Sequence, residues 1–527
     1  MCYLGFIRTI SLLCAFLSWS NTQAARPTSR YNVVFVIFDD LRPAIGAYGD
    51  HLAKTPNLDK FINGGYYFTR AYSQQALCAP SRNSFLTSRR PDTLHLYDFY
   101  SYWRTSRGNF TTLPQYFKQN GYYTYGVGKV FHPGISSNNT DDYPLSWTAR
   151  PFRPKSERFM NSPVCPDKMG VLRRKLICPV DLKTQPYKTL PDIESVAEAI
   201  RVIRSRGKAR RPYFLALGFH KPHINFRFPS EYMQHFRVEN FYNYTKDNYK
   251  PHDMPKVAWN PYTDIRSRHD MKHLNIPFPY GPIPKRQSAK IRQAYYAAVS
   301  YVDDLFGRLM QNIDLENTVV LVTSDHGWSL GEHAEWAKYS NFEVALRVPL
   351  IIRSPEFSSD GRELTRNLSV LTELVDIFPT LVDLAHLPSI PRCLNNTPME
   401  EQLTCTEGKS LYPFIRQQST RIVERELFAL SQYPRPGRLP TKHPNSDKPK
   451  LKQIKIMGYS LRSDTFRYTL WIEFNPLDFT KDWSTTYGEE LYDHRLDAME
   501  EINLVDWPQF NNVRLDLKNK LIKAFTK

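Results

Sequence analysis

Four short runs of apolar residues recur along the chain, and each run ends abruptly in polar side chains. The runs cover residues 33–38, 123–128, 213–219 and 318–324. Short continuous apolar runs are typical of strands that are buried on both faces, as in a parallel sheet. The polar residues that follow them are Asp39 and Asp40, Lys129 and His132, His220 and His223, and Asp325 and His326.

Helical patterns lie between these runs, at residues 192–206 and 288–312. Strands that alternate with helices predict an α/β fold with a large, doubly wound, mostly parallel sheet flanked by helices. In open sheets of this kind, ligands bind outside the carboxyl ends of the strands. We therefore expect the four polar strand ends to form a single site.

The rest of the chain has a different character. Residues 225–285 are rich in Pro, Asn and Tyr and have little periodicity, which predicts a long excursion over the surface. From residue 417 onwards a stretch rich in Pro and Lys leads into alternating runs at 454–461 and 467–474, and a helical pattern follows near 510–525. The sequence thus predicts a large domain over residues 25–416, which carries the site, and a smaller α+β domain with an antiparallel sheet over residues 417–527.

Residues 1–24 have the pattern of a secretory signal peptide. Arg8 precedes an apolar run over residues 10–17, and Ala24 ends a suitable cleavage site. The run is far shorter than the roughly 20 residues that span a bilayer, and no later segment is long and apolar enough, so we expect no membrane span. Five N-glycosylation patterns support the secretory route, at Asn109, Asn138, Asn243, Asn367 and Asn395.

The cysteines also fit an oxidising compartment. The chain has seven, and two of them lie in the signal peptide, which leaves five. The simplest scheme pairs neighbours in sequence, Cys165 with Cys178 and Cys393 with Cys405. Cys78 is then left over, and such a cysteine is a reactive thiol, a partner in an intermolecular bridge, or a buried inert thiol.

Composition narrows the partners only modestly. Hydrophobic residues make up 41% and charged residues 23% of the chain, which is an ordinary globular balance. The formal net charge of +18 favours polyanionic partners such as nucleic acid, anionic membrane surfaces or acidic glycans. For a protein of the secretory route, a sulfated glycan is a better expectation than nucleic acid.

The strand ends combine acidic and basic side chains in a way that suggests anion chemistry. Three carboxylates, Asp39, Asp40 and Asp325, would repel one another unless a cation neutralised them, and oxygen ligands favour Ca²⁺ or Mg²⁺. Arg82 lies four residues after Cys78, at the predicted start of a helix where backbone N–H groups attract anions. The further basic or proton-transferring side chains are Lys129, His132, His220 and Lys338; His223 is left out of this catalytic set. Such a site suits a doubly charged tetrahedral oxyanion.

The run Cys78-Ala79-Pro80-Ser81-Arg82 resembles the signature of type I sulfatases, which have an alkaline-phosphatase-like fold and in which the cysteine is oxidised to formylglycine. The resemblance extends from about residue 31 to the C-terminal strands. It implies one Ca²⁺ bound or surrounded by Asp39, Asp40, Asp325, His326 and the modified Cys78. It also implies a formylglycine-generating enzyme as a partner during maturation.

The resemblance further implies a reaction in which the formylglycine hydrate attacks sulfur and forms a covalent enzyme–sulfate intermediate. Arg82 would hold the modified side chain, His132 would act as a base, and His220 or Lys338 would protonate the departing sugar oxygen. Candidate sugar contacts are Asp142, Trp328 and Tyr339. The expected substrate is the 2-sulfate of L-iduronate in heparan sulfate and dermatan sulfate, and the expected location is the lysosome or the exterior of the cell.

One position departs from the family pattern, since Ser88 stands where the family usually has glycine. Three other hypotheses stay open at this point. A phosphatase or phosphodiesterase of the same fold would use Thr or Ser and two zinc ions. A glycan-binding protein would keep the fold without catalysis, and a sulfatase could act on another sulfated sugar.

Overall fold

The computed structural model describes residues 30–245, 249–357, 366–394, 397–398, 401–417 and 427–526. The expected signal peptide and the sequon at Asn395 lie outside the described residues. Among the helices of the described part, none is both long and apolar enough to cross a membrane.

The strands are β1 (Asn32–Asp39), β2 (Tyr66–Tyr72), β3 (Tyr123–Gly128), β4 (Cys165–Pro166), β5 (Leu172–Arg173), β6 (Ile177–Val180), β7 (Tyr213–Pro222), β8 (Phe226–Pro229), β9 (Thr318–Ser324), β10 (Ser329–Leu330), β11 (Trp336–Ala337), β12 (Arg347–Arg353), β13 (Arg366–Leu368), β14 (Thr372–Glu373), β15 (Ala429–Arg435), β16 (Ile456–Arg462), β17 (Phe466–Phe474) and β18 (Lys481–Asp493).

The helices are α1 (Pro56–Ile62), α2 (Cys78–Thr87), α3 (Pro91–Leu94), α4 (Trp103–Ser106), α5 (Leu113–Gln119), α6 (Pro191–Arg206), α7 (Thr263–Arg266), α8 (His269–Lys272), α9 (Lys285–Met310), α10 (Glu343–Leu346), α11 (Ile377–Leu384), α12 (Tyr412–Gln417) and α13 (Asn511–Phe525).

The central sheet has the strand order β13-β2-β12-β9-β1-β7-β3, and β14 adds to β2. The four strands predicted from the apolar runs, β1, β3, β7 and β9, are neighbours and run parallel. The strand β12 runs antiparallel to both of its neighbours. The predicted α/β fold with a mostly parallel sheet is therefore confirmed, and the polar ends of the four strands lie at one edge.

Helices cover both faces of this sheet. Alternate side chains of β1 point to opposite faces, as strand geometry requires. Val34, Val36 and Phe38 belong to the core cluster that includes α1, α6 and α9. Val33, Phe35 and Ile37 belong to the cluster that includes α2, α5 and α11. Because every side chain from Val33 to Phe38 is fully buried, β1 requires the continuous apolar run seen in the sequence.

The C-terminal part contains a four-stranded antiparallel sheet in the order β15-β16-β17-β18, and α13 packs on it. The predicted antiparallel strands and final helix are therefore confirmed. The domain boundary at residues 416/417 stays a prediction. This sheet lies against the main one. The backbone N–H of Gln432 donates to the backbone carbonyl of Gln74 at 2.9 Å, and Ser431 Oγ donates to the backbone carbonyl of Ser73 at 2.7 Å.

The prediction of a surface excursion over residues 225–285 is wrong for its middle part. Trp259, Asn260 and Tyr262 are fully buried. The Asn260 side-chain amide donates to the carbonyl of Lys338 at 2.7 Å, so this irregular segment supports a residue of the site. The buried backbone amides of Asn260 and Tyr262 donate to the side chains of Glu335 and Asn260 instead of to a helix or a sheet, so this part of the segment has no periodic pattern.

Candidate active site

Cys78 is the first residue of α2, and all ten residues of this helix are buried. Leu77 before it is extended, so the chain changes abruptly from extended to helical at the cysteine. The first N–H groups of a helix lack intrahelical partners and carry partial positive charge. The side chain of Cys78 therefore starts from a position that favours an anion.

Four side chains surround the sulfur of Cys78. Lys338 Nζ lies 3.0 Å from Sγ, and Lys129 Nζ, Asp39 Oδ1 and His326 Nε2 each lie 3.4 Å from it. Burial raises the pKa of the Cys78 thiol to about 12, so the unmodified side chain stays protonated. A protonated thiol is a poor nucleophile. This environment suits a different group at residue 78 better than it suits a thiolate.

Arg82, on α2, connects this helix to two of the carboxylates that were predicted to bind a metal ion. Its Nε donates to Asp325 Oδ2 at 2.9 Å, and its Nη2 lies 3.2 Å from Asp39 Oδ1. Its Nη1 donates to the backbone carbonyl of Lys129 and, at 3.2 Å, to that of Val130. The guanidinium is fully buried and makes all of these contacts at once. Arg82 therefore positions two carboxylates beside Cys78.

The predicted carboxylates do come together: Asp39, Asp40 and Asp325 offer oxygens that lie within 4.8 Å of one another. All three are fully buried. Despite the opposing effect of burial, nearby Lys129, with its Nζ 2.5 Å from Asp39 Oδ2, holds the pKa of Asp39 well below its usual range. Lys338 Nζ lies 2.7 Å from Asp40 Oδ1.

Asp40 shows that the negative charge of this cluster is not fully neutralised by the side chains around it. Its Oδ2 is buried and has no hydrogen-bond partner among the described residues. Burial, which outweighs the attraction of Lys338, raises the pKa of Asp40 to about 7. A buried carboxylate oxygen without a partner, next to two other carboxylates, is the donor set that a hard divalent cation prefers. The residues present therefore fit a metal ion.

His326 faces the same cluster through one ring nitrogen. Its Nδ1 lies 3.0 Å from the carbonyl of Gly327, which can only accept, so Nδ1 carries the proton. Its Nε2 then presents a lone pair 3.5 Å from Asp40 Oδ1 and 3.4 Å from Cys78 Sγ. Burial lowers the pKa of His326 to about 4, which keeps the ring neutral and able to act as an acceptor.

The structure places the other two predicted histidines differently. His220 is fully buried between two carboxylates, with Nδ1 and Nε2 each 3.3 Å from an oxygen of Asp192 and Glu157, respectively. Although burial opposes it, Glu157 raises the pKa of His220. No described contact joins His220 to Cys78. His132 stacks at a tilt on Phe99, with ring centroids 4.5 Å apart, and its buried Nδ1 lacks a partner in the described residues.

His223 is not in the catalytic set predicted from the sequence, but it is a histidine that the structure brings to the cluster of Asp39, Asp40 and Cys78. Its Nε2 lies 3.9 Å from Asp40 Oδ2, and it groups with Asp39 and Cys78 within 4.8 Å. Burial holds its pKa well below the usual value. Since side chains alternate along a strand, His220 points from β7 towards α6, whereas His223, just past the end of the strand, is free to face the site.

The three predicted sugar contacts take part in tight local networks. Asp142 accepts two hydrogen bonds from Arg104, at 2.6 and 2.8 Å, and is buried. Trp328 is 1% exposed and lies with its ring 5.9 Å from Lys338 Nζ. Tyr339 has a φ of 81° and its hydroxyl donates to Asp264. A role in sugar binding stays a prediction for each of them.

Ser88 ends α2 with a φ of 53°, in the left-handed region that favours glycine. Its hydroxyl donates to the carbonyl of Val375 at 2.5 Å and lies 2.6 Å from Thr406 Oγ1. Glycine would adopt this backbone with less strain but would make neither contact. The serine therefore compensates for its unfavourable backbone with two buried hydrogen bonds.

The covalent and surface predictions concern residues away from the cluster. Disulfides join Cys165 to Cys178 and Cys393 to Cys405, which is the local pairing expected, and Cys78 is the free cysteine of the described residues. The asparagines of four sequons are exposed: Asn109, Asn138, Asn243 and Asn367. Their glycosylation stays a prediction.

Comparison with known proteins establishes the class of this site. The family model described as Sulfatase matches residues 31–387. The chain belongs to the sulfatase family. This sulfatase is 46% identical over 532 residues to the iduronate 2-sulfatase of Homo sapiens, with 95% of both chains covered. It is 44% identical over 545 residues to the iduronate 2-sulfatase of Mus musculus, with 98% of both covered.

Solved structures agree on the fold. The phosphonate monoester hydrolase of Agrobacterium radiobacter has a TM-score of 0.66 at 20% identity, covering 94% of this chain and 96% of that chain. A protein described as a 2-O GAG sulfatase has a TM-score of 0.60 at 18% identity, covering 94% and 92%. The match to the Sulfatase family model and the identity to the two iduronate 2-sulfatases show that this chain is a sulfuric ester hydrolase. Its family generally uses formylglycine and a divalent metal ion.

Proposed function

We propose that this sulfatase hydrolyses the 2-sulfate ester of L-iduronate in heparan sulfate and dermatan sulfate. The observation that carries this proposal is the sequence identity of 44–46% to two iduronate 2-sulfatases over at least 95% of each chain. The proposal takes the substrate from the names of those relatives. The site supports it with cations arranged around one buried reactive residue.

The sulfate ester would lie against Lys129 and Lys338. The sulfur of Cys78 marks the position that an oxygen occupies once the side chain has become formylglycine, and both ammonium groups lie within 3.4 Å of that position. Each lysine is also paired with a carboxylate, Asp39 or Asp40, which fixes its geometry before substrate arrives. Fixed positive charges of this kind stabilise the extra negative charge of the transition state.

The hydrated aldehyde of formylglycine supplies the attacking oxygen and a second hydroxyl that allows sulfate to leave afterwards. In the proposed reaction Arg82 keeps Asp39 and Asp325 in place beside it. The acceptor nitrogen of His326 faces the same residue and can receive a proton from it. His132 is proposed as the base that assists release of sulfate.

We propose His223 as the group that protonates the departing sugar oxygen, after the negative charge of the bound sulfate ester has raised the pKa that burial lowers in the free protein. It lies within 4.8 Å of Asp39 and Cys78, whereas His220 is enclosed by Glu157 and Asp192. Lys338 is the other candidate for this proton transfer, since its Nζ lies nearest to the sulfur. A positioned general acid contributes typically about 10²- to 10⁴-fold to a rate.

For the metal we propose one Ca²⁺, held by Asp39, Asp40 and Asp325 with the modified residue 78. Carboxylate oxygens are the ligands that this cation prefers, and the unpartnered Asp40 Oδ2 is available to it. The ion would neutralise the three carboxylates and polarise an oxygen bound to it. His326 is a weaker candidate ligand, because Ca²⁺ prefers oxygen to imidazole nitrogen.

We further propose maturation in the secretory route, with Cys78 oxidised by a formylglycine-generating enzyme, and work in the lysosome or outside the cell. The cysteine lies in an intact Cys-x-Pro-x-Arg run, and four exposed sequons and two disulfides accompany it. We propose that Asp142, Trp328 and Tyr339 surround the sugar.

The test uses protein secreted by a eukaryotic host. Mass spectrometry of the peptide that contains Cys78 should show an aldehyde at this residue, and the protein should release sulfate from an iduronate 2-sulfate disaccharide in acidic buffer. A Cys78→Ala variant is the inactive control. Release of sulfate only from glucosamine sulfates or aryl sulfates would overturn the substrate, and a cleavage preference for phosphate esters would overturn the chemistry.

A further inference from the structure

Arg268 is a buried cation without a partner. Its side chain is 4% exposed, and both Nε and Nη1 are buried without a hydrogen bond. Among the buried arginines of the described residues it is the one whose guanidinium has no hydrogen bond. Burying an unpaired charge costs several kcal/mol, and buried charges in proteins are therefore nearly always paired.

The acidic residues near Arg268 are already occupied. Asp264, one turn earlier, accepts from Lys448 Nζ at 2.5 Å and from the hydroxyl of Tyr339. Asp270 accepts from the backbone amides of Leu176 and Ile177, at 2.6 and 3.0 Å. Both carboxylates attract Arg268 electrostatically, but neither makes a hydrogen bond or a close ion pair with its guanidinium in the described residues.

A second cation makes the region more positive still. Arg174, whose carbonyl accepts the amide of His269 at 2.9 Å, is exposed and acts on Arg268 electrostatically. Burial, reinforced by this like charge, lowers the pKa of Arg268. An anion bound here would therefore gain two attractions without having to displace a carboxylate of the protein.

The place of Arg268 connects it to the reactive centre. Asp264 holds the hydroxyl of Tyr339, and the preceding residue, Lys338, contacts the sulfur of Cys78. The neighbours of Arg268 in the chain also line an open cleft of about 540 Å³, whose walls include Asp264, Ser267, Met271, Lys272, Lys442 and His443. Asp264 and Tyr339 both act on Arg268 electrostatically, so the guanidinium lies close to the two residues that lead to Lys338 and Cys78.

We propose that Arg268 determines specificity by binding an anionic group of the substrate other than the sulfate that is cleaved. This inference rests on the proposed function, because the substrate class supplies two such groups: the carboxylate of the uronate itself and a sulfate on the neighbouring sugar. A bidentate guanidinium contact suits either of them. Arg268 is then a substrate-binding residue that takes no part in the chemistry at residue 78.

The experiment compares the wild type, Arg268→Gln and Arg268→Lys on four substrates. They are an iduronate 2-sulfate disaccharide with a sulfated neighbour, the same disaccharide with its carboxyl group reduced, the same without the neighbouring sulfate, and an aryl sulfate. Lys290→Gln is the matched control, because it removes an equal charge from an exposed position on α9 that does not line the cleft. Activity of the wild type on the first substrate tests the proposed function separately.

We expect Arg268→Gln to raise KM on the full disaccharide roughly 10- to 100-fold with little change in kcat, as loss of a charged hydrogen bond to a ligand does. The variant should match the wild type on whichever disaccharide lacks the group that Arg268 binds, and on the aryl sulfate. Arg268→Lys should recover part of the loss, and Lys290→Gln should behave as the wild type.

Thermal unfolding separates this role from a structural one. Removing an unpaired buried charge should leave the unfolding midpoint of Arg268→Gln unchanged or raised. A lowered midpoint together with an equal loss on all four substrates would mean that Arg268 supports the fold, and would overturn the inference. A wild-type KM on the full disaccharide in Arg268→Gln would overturn it as well.

Discussion

Replacing Glu335 by glutamine should stabilise the protein at neutral pH but not at acidic pH. Glu335 is fully buried, and its two carboxylate oxygens accept from the backbone amide and the side-chain amide of Asn260, at 2.6 and 3.4 Å. Burial, which outweighs these hydrogen bonds, raises the pKa of Glu335 to about 8. The folded protein therefore keeps a proton there that the unfolded chain releases above about pH 4.3.

The magnitude follows from the two pKa values. Since the folded state binds the proton more tightly, the free energy of unfolding falls as the pH rises from about 4.3 towards about 8. Each unit of difference corresponds to about 1.36 kcal/mol. Between about pH 5 and about pH 7.5, Glu335 alone should remove about 2 to 3 kcal/mol of stability. Glutamine resembles the protonated carboxyl group and does not titrate. The Glu335→Gln variant should therefore not lose this stability as the pH rises.

The assay is urea unfolding of the wild type and Glu335→Gln at both pH values, followed by tryptophan fluorescence. The variant should unfold with nearly the wild-type free energy at the lower pH and gain about 2 to 3 kcal/mol over the wild type at the higher one. Comparing the variant with the wild type cancels the opposite effect of histidines with lowered pKa values, such as His223 and His326. Glu473→Gln, at an exposed glutamate, is the control and should show a flat difference. A flat difference for Glu335→Gln would refute the reasoning.

Three further outcomes are expected. His223→Gln should lower kcat by about 10²- to 10⁴-fold, whereas His220→Gln should change it much less; the reverse order in steady-state kinetics would restore His220 as the acid. Ser88→Gly should lower the free energy of unfolding by about 1 kcal/mol, because two lost hydrogen bonds outweigh the relief of backbone strain, and an unchanged value in urea unfolding would contradict this. Chelation should abolish activity and lower the temperature midpoint of unfolding, and added Ca²⁺ should restore both. An Asp40→Asn variant should need a far higher Ca²⁺ concentration for the same activity. Full activity in the presence of chelator would exclude a role for the metal ion.

The sequence predicted the central sheet well because its strands are buried on both faces. A strand such as β1 has no solvent-exposed positions, so it appears as an uninterrupted apolar run that no other local structure explains as simply. Parallel strands then place their carboxyl ends together, which is why Asp39, Lys129 and Asp325 could be assigned to one site before any geometry was known.

The positions past the strand ends were harder to predict. Whether His220 or His223 faces the site depends on how far β7 continues and on which side its last residues point, and the sequence contains no signal for either. Arg268 and Asn260 lie in a segment without periodicity, so their burial could not be inferred. The contacts of Asn260 depend on Glu335 and Lys338, which lie 75 and 78 positions further along the chain.

The complete enclosure of Cys78 sets the order of events in the life of the molecule. The residue is 1% exposed, and the whole of α2 around it is buried. The proposed modifying enzyme would have to close its own active site around this side chain, so it could act only while the segment is still unfolded. Under this proposal, folding and oxidation of Cys78 compete, and a chain that folds first keeps its thiol. The aldehyde fraction in a secreted sample, read by mass spectrometry, is then a record of that competition, and slower folding should raise it.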